Sequence, residues 1–175
     1  MNFEFYREET MMDTFTIGEI VKEDFRRIAE INEMVVEHMS PMDEARLEEL
    51  LGYTGYAQKI SVNGDIAGFI LAMPENRPYR NDNYGWFSAR YGNFLYIDRI
   101  AIVPGLKGRG LGSALYRDLF EFAQRAGKEV IACEINVVPP NEQSMMFHRK
   151  FGFSEAGQQW LGNGAKKVSM QIRKL

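Results

Sequence analysis

The chain has 175 residues, enough for one well-packed domain and short for two. Its hydrophobic (45%) and charged (26%) fractions are ordinary for a globular protein, and a formal net charge of -3 provides no global positive field to favour nucleic acid. The single cysteine, Cys133, excludes an intramolecular disulfide, no apolar run approaches the roughly 18 residues of a membrane span, and the acidic start lacks the apolar core of a signal peptide, so a soluble cytoplasmic protein is expected.

In chain order, residues 1–13 read as an N-terminal extension and residues 14–175 as a single domain. Thr14 to Val21 alternates as a first strand. From Lys22 a helical stripe runs through Phe25, Ile28, Ala29, Asn32, Val35, Val36 and Met39, with Asn32 its one polar member. Asn32 is read as a core amide hydrogen-bonded to a neighbour, and His38 as a partly exposed helix-end histidine. Ser40 as N-cap and Pro41 at the first helical position predict a second helix, with Asp43 and Glu44 in its first turn, ending near Gly52. Tyr56 to Val62, the turn Asn63-Gly64 and the apolar run Asp65 to Met73 predict a hairpin whose return strand is central. Pro74 to Gly92 reads as a long connection carrying Tyr79, Tyr84, Trp86, Phe87 and Tyr91. These aromatics either line an acceptor pocket or lid, or pack an interface or the outside of the core.

Tyr96 to Val103 reads as a buried strand, broken by Pro104 and Gly105, and from Leu111 the apolar period becomes helical up to a stop at Gly127. Between them lie Gly108, Gly110 and Gly112, which clear one side of the turn so that main-chain N–H groups can approach a phosphate at a helix start. The spacing is not that of a nucleotide P-loop, and the third glycine comes one residue too early for a dinucleotide fingerprint. Lys128 to Val138 predicts another buried strand closed by Pro139-Pro140. A short helix follows from Asn141 to Lys150, then Phe151-Gly152-Phe153, and two closing strands run from Ser154 to Trp160 and from Lys166 to Arg173.

The glycine loop resembles the acyl-coenzyme A loop of the GNAT superfamily of N-acetyltransferases, with Lys107 in place of its usual glutamine or arginine. A second motif, Asn141-x-x-Ser144-x-x-Phe147-His148-x-x-Phe151-Gly152-Phe153, resembles the superfamily's helix ending in Gly-Phe. The resemblance implies an α/β fold: a mixed, mostly antiparallel sheet splayed between its central parallel strands, with helices on both faces. It also implies acetyl-coenzyme A as cosubstrate, no metal, and direct acetyl transfer to a primary amine of a small or amino-acid-like acceptor. The cofactor residues would then be Ile100, Ala101 and Ile102 on the strand, Lys107, Gly108, Arg109, Gly110, Leu111, Gly112 and Ser113 in the loop, and Asn141, Ser144, Phe147 and His148 on the later helix. The resemblance also offers Asn32 as a substrate contact, since its helix often walls the acceptor site in that superfamily. The paired prolines are expected to open the slot between the parallel strands, because proline cannot extend a ladder.

Direct transfer needs a base for the ammonium, and two acids lie on strands that flank the slot, Asp98 and Glu134. Either one alternatively forms a structural ion pair with Arg99 or another base. Without a bulge, Asp98 shares a strand face with Tyr96, Ile100 and Ile102, and Glu134 shares one with Ala132 and Asn136. His148 stands where the superfamily usually carries a tyrosine acid; as a proton donor it predicts a falling rate limb close to neutrality, and otherwise it is a helix residue packed beside the cofactor without proton transfer. Two other readings stay open, a non-catalytic acyl-coenzyme A sensor and an enzyme acting on protein N-termini or lysines. Edge strands near the C-terminus would suit a homodimer, as in many relatives.

Overall fold

The computed structural model describes residues 14–175, so the expected N-terminal extension lies outside the described residues. Its elements are β1 (Phe15–Glu19), α1 (Phe25–Glu33), α2 (Glu44–Leu51), β2 (Tyr56–Val62), β3 (Asp65–Pro74), α3 (Asp82–Ser88), β4 (Phe94–Ile102), α4 (Leu111–Arg125), β5 (Val130–Val138), α5 (Glu142–Lys150), β6 (Ser154–Leu161) and β7 (Lys166–Lys174), with short 3-10 turns between some of them. They build one seven-stranded sheet in the order β1-β2-β3-β4-β5-β7-β6. Every pairing is antiparallel except β4 with β5. Two apolar clusters flank the sheet. One packs α1, α2 and α3 through Ile28, Ile31, Leu47, Leu50 and Phe87; the other packs α4 through Leu111, Leu115, Leu119 and Ala123.

The parallel pair determines where the site lies. β4 and β5 are in register only at Phe94 with Val130, Leu95 with Ile131 and Tyr96 with Ala132, after which they separate. Separation therefore begins well before Pro139-Pro140, and the prolines do not start it. At the same level β4 carries a bulge: Leu71 pairs with Arg99 and Ala72 with Ile97, leaving Asp98 as the extra residue. A bulge bends its strand and increases the local twist, which turns the rest of β4 away from β5. It also reverses the side-chain phase. Phe94, Tyr96 and Ala101 belong to the cluster on the α1 side, whereas Leu95, Ile97, Ile100 and Ile102 pack on the α4 side, so Ile100 and Ile102 do not share a face with Tyr96. On β5 the simple alternation holds, with Ala132 on the α1 side and Cys133 on the α4 side.

Two connections differ from expectation. Ser40 is not the N-cap of α2: Asp43 is, its Oδ1 accepting from the Arg46 N–H at 2.8 Å, while the Ser40 carbonyl accepts from Asn32 Nδ2 at 3.1 Å. The carbonyl bond holds the chain back from the helix for another turn. The long connection after Pro74 contains α3, capped by Asn81, whose Oδ1 accepts from the N–H groups of Asn83 and Tyr84. Tyr84 and Phe87 are core residues, so most of the aromatics there serve packing.

Candidate active site

A cavity of about 730 Å³ passes through the sheet where β4 and β5 separate. On the α4 side it is lined by Lys107, Gly108, Gly110, Leu111, Gly112 and Ser113, and by Asn141, Ser144, Phe147 and His148 of the α5 segment. The opposite side is closed by Val35, His38, Met39 and Arg46, and by Tyr79, Asn81 and Asn83 around the start of α3. Asp98, Ile100, Ala101 and Ile102 of β4 and Glu134 of β5 form the walls between. Every site residue expected from the sequence is gathered here except Arg109, which does not line the cavity.

The loop geometry suits a polyanion. Gly108 and Gly110 have φ of +82° and +81°, conformations that side chains rarely adopt, and Gly110 is the N-cap of α4. The first bond within α4 runs from the Ala114 N–H to Gly110 O at 2.9 Å, which leaves the amides of Leu111, Gly112 and Ser113 at the mouth of the cavity without helical acceptors. On β4, the Val103 N–H donates to Ala67 O at 2.8 Å, so Val103 and Ala101 face β3, and the main-chain groups of Ile100 and Ile102 face the gap. Asn141 caps α5, accepting from the Ser144 N–H at 3.1 Å, which leaves its NH2 group for a ligand.

The two acids differ in their surroundings. Asp98 is committed through both oxygens, accepting from the Tyr79 hydroxyl at 2.6 Å and from Arg99 Nε at 2.8 Å, and its side chain is 3% exposed. Arg99 in turn donates to Asn32 Oδ1 at 2.9 Å, which makes the buried Asn32 a core amide. Glu134 has no cation on it among the described salt bridges; it accepts from the Tyr96 hydroxyl at 2.8 Å, and the nearby Asn83 side chain favours its charged form. Removal from water at the floor of the cavity, opposed by these hydrogen bonds and reinforced by the nearby Asp98 charge, pushes its pKa up to about 7.

His148 is held at both ring nitrogens. Its Nδ1 donates to the Ser144 carbonyl at 2.7 Å, so Nε2 accepts from the Tyr116 hydroxyl at 2.6 Å. Burial lowers its pKa, so the imidazole is a neutral acceptor wedged between α4 and α5. Cys133 is buried and its thiol pKa is pushed well up by desolvation, away from nucleophilic use.

Residues 17–153 match the acetyltransferase (GNAT) family. The chain belongs to that family. It is accordingly an N-acetyltransferase, and its relatives carry the same activity in their names. A phosphinothricin N-acetyltransferase of Streptomyces coelicolor is 36% identical over 60% of this chain and 74% of its own length. An N-acetyltransferase of Methanocaldococcus jannaschii is 26% identical over 54% of this chain and 37% of its own length. Among solved structures of the GNAT fold, Ard1 from Thermoplasma volcanium superposes with a TM-score of 0.74 at 16% identity, covering 92% of this chain and 97% of that one. The acetyltransferase yncA of Salmonella typhimurium, solved with its cofactor acetyl-CoA, gives 0.67 at 22% identity, covering 91% and 93%.

Four polar residues of this GNAT site were not anticipated from the sequence: Tyr96, Asn83, Tyr116 and Gln159, whose Nε2 donates to Asn83 Oδ1 at 3.0 Å. Tyr96 and Tyr116 carried a readable signal, since a tyrosine on a wholly buried face needs a partner for its hydroxyl. Asn83 and Gln159 carried none, because they lie 76 residues apart on elements whose contact only the fold creates.

Proposed function

We propose that the chain transfers the acetyl group of acetyl-coenzyme A directly to the primary amine of a small, amino-acid-like molecule, with Glu134 as the general base. The observation that carries this reading is a carboxylate on β5 that lines the gap between the parallel strands, with no cation on it among the described residues; burial there pushes its pKa up to about 7.

An aliphatic ammonium with a pKa near roughly 10 is unreactive, and a base is most effective when its own pKa lies near the working pH. Glu134 meets that condition and takes the proton directly or through one water. Asp98, held by Arg99 and Tyr79, acts instead as the fixed negative charge beside it. The gap fits the cosubstrate: glycine-lined amides at the start of α4 suit its pyrophosphate, the outward main-chain groups of Ile100 and Ile102 suit the amides of its pantetheine arm, and the NH2 of Asn141 lies at the same mouth. When bound, acetyl-coenzyme A supplies a thioester carbonyl for the amine to attack and a thiol of pKa near roughly 8.5, which departs without a dedicated acid. An N–H of Ile100 or Ile102 that faces the gap is the donor suited to the oxygen that gains charge. His148, bonded at both nitrogens, locks α5 against α4.

The small acceptor is supported by Tyr79, Asn81, Asp82 and Asn83, which line the cavity on the side away from the glycine loop, and by the name of the 36% identical relative. The test is thiol release from acetyl-coenzyme A with phosphinothricin, free amino acids and peptides in parallel. Turnover on the small amines and a 100- to 10000-fold loss of kcat/KM in Glu134→Gln, the usual span for a lost general base, are expected. Turnover on peptides alone would replace the small acceptor with a protein one. Full activity of the variant would remove Glu134 as base.

A further inference from the structure

Glu134 is oriented by a chain of contacts that begins at the far edge of the sheet. β6 is the edge strand beyond β7, and its inward positions are Gly157, Gln159 and Leu161. Two of these engage α3. A Cβ at Gly157 would lie 2.7 Å from Trp86 Cζ2, so only a residue without one lets the indole seat on the strand. One inward position further along, Gln159 Nε2 donates to Asn83 Oδ1 at 3.0 Å. That bond fixes which end of the Asn83 amide is free: with its oxygen occupied by a donor, its NH2 is left for the Glu134 carboxylate, which lines the same cavity.

We propose that Asn83 and Gln159 are positioning residues, Gln159 orienting Asn83 and Asn83 holding the carboxylate of Glu134 toward the slot. The proposal rests on the reading of Glu134 as the base. It gives β6 and α3, neither of which belongs to the cofactor loop, control over the pH at which the enzyme becomes competent. The groups that face Glu134 are Tyr96 and Asp98 from β4, the latter already paired with Arg99 and Tyr79, and Asn83 from α3; Cys133, next to it on β5, lies on the opposite face. A hydrogen bond to the charged form favours that form, so removing it makes the carboxyl keep its proton to higher pH.

The deciding measurement is a pH titration of the Glu134 carboxyl by NMR in protein labelled with 13C at the glutamate side-chain carboxyl. The signal is assigned by its disappearance in Glu134→Gln, and the protein is compared with Asn83→Ala, Gln159→Leu and, as a control, Gln158→Leu on the outward face of β6. A hydrogen bond to a charged group is worth about one pH unit of midpoint. The midpoint is expected to rise by about that much in Asn83→Ala and in Gln159→Leu and to stay in place in Gln158→Leu. Gln159→Leu is close in size and the position is only half-buried, so this variant decides the matter if Asn83→Ala does not fold. An unchanged midpoint in a folded Gln159→Leu would overturn the proposal. Wild-type turnover by Glu134→Gln on phosphinothricin would overturn the base reading alone, because the midpoints report the positioning without any turnover.

Discussion

Glu134 and Asp98 lie on neighbouring strands on the same side of the sheet, yet they have opposite partners, and this difference predicts opposite responses to substitution. Glu134 has its pKa raised from 4.5 to about 7 in the native protein. The unfolded chain releases that proton first, so the group costs stability progressively as pH rises from about 4.5 to 7, and the whole cost is present above 7. Glu134→Gln is therefore expected to be more stable than wild type by on the order of 2 kcal/mol at pH 8, allowing for the opening of the cavity to water, and nearly equal to it at pH 5. Urea denaturation at the two pH values checks both sign and window. For His148, bonded at Nε2 by Tyr116 and at Nδ1 by Ser144, the outcome differs from that of a catalytic acid. Tyr116→Phe is expected to cost about 1–3 kcal/mol by leaving a buried nitrogen without its donor. The kcat/KM profile should rise toward a plateau with a midpoint near 7 and show no falling limb close to neutrality; a limb that vanished in His148→Phe would restore the acid role.

At the scale of elements, the junctions are held by contacts that local sequence signals did not disclose. Asp43 caps α2, and Asp43→Ala should cost about 1 kcal/mol, whereas Ser40→Ala should be close to neutral because Ser40 contributes its main-chain carbonyl to Asn32 and Arg99. Thermal melts of the two variants side by side test this. The docking of α3 on β6 depends on the missing Cβ at Gly157. Gly157→Ala is expected to displace Trp86 and shift the rising limb of the rate profile upward, with little change in affinity for acetyl-coenzyme A measured by calorimetry. Lost cofactor binding in that variant would show that α3 supports the whole slot and not the base alone. The helix itself was hard to read because Pro74 and Pro78 precede it and asparagine and glycine surround its aromatics, whereas its start is a single Asn81 cap.

The molecule as a whole is a sheet parted along its one parallel seam, with the glycine loop and α5 on one face and α1 to α3 on the other. A ligand bound across that gap ties together strands that do not pair beyond Tyr96 and Ala132. Acetyl-coenzyme A at about 100 times its Kd is expected to stabilise the fold by about 2.7 kcal/mol, which for a chain of this size raises Tm by roughly 5–10 °C. Calorimetric melts with and without the cosubstrate measure it directly.

Much of this arrangement was decided by local physics alone. The strand-to-glycine-to-helix run from Tyr96 to Leu115 could adopt few other forms, Asn63-Gly64 specified its hairpin, and Asn141 capped α5 as its position implied, because turns, caps and apolar periods depend on residues close in the chain. Gathering Asp98, Glu134 and His148 at one cavity also followed, since each lay on an element flanking that run. What only the tertiary structure decided is how each of them is partnered. The bulge at Asp98 arises from pairing with β3 and turns Ile100 and Ile102 to the α4 side; Arg99 and Tyr79 occupy Asp98; Tyr116 occupies His148; and Gln159, from the far edge of the sheet, donates to Asn83. Register and hydrogen-bond partners are set by strands and helices distant in sequence, and a carboxyl group's affinity for a proton depends on those partners.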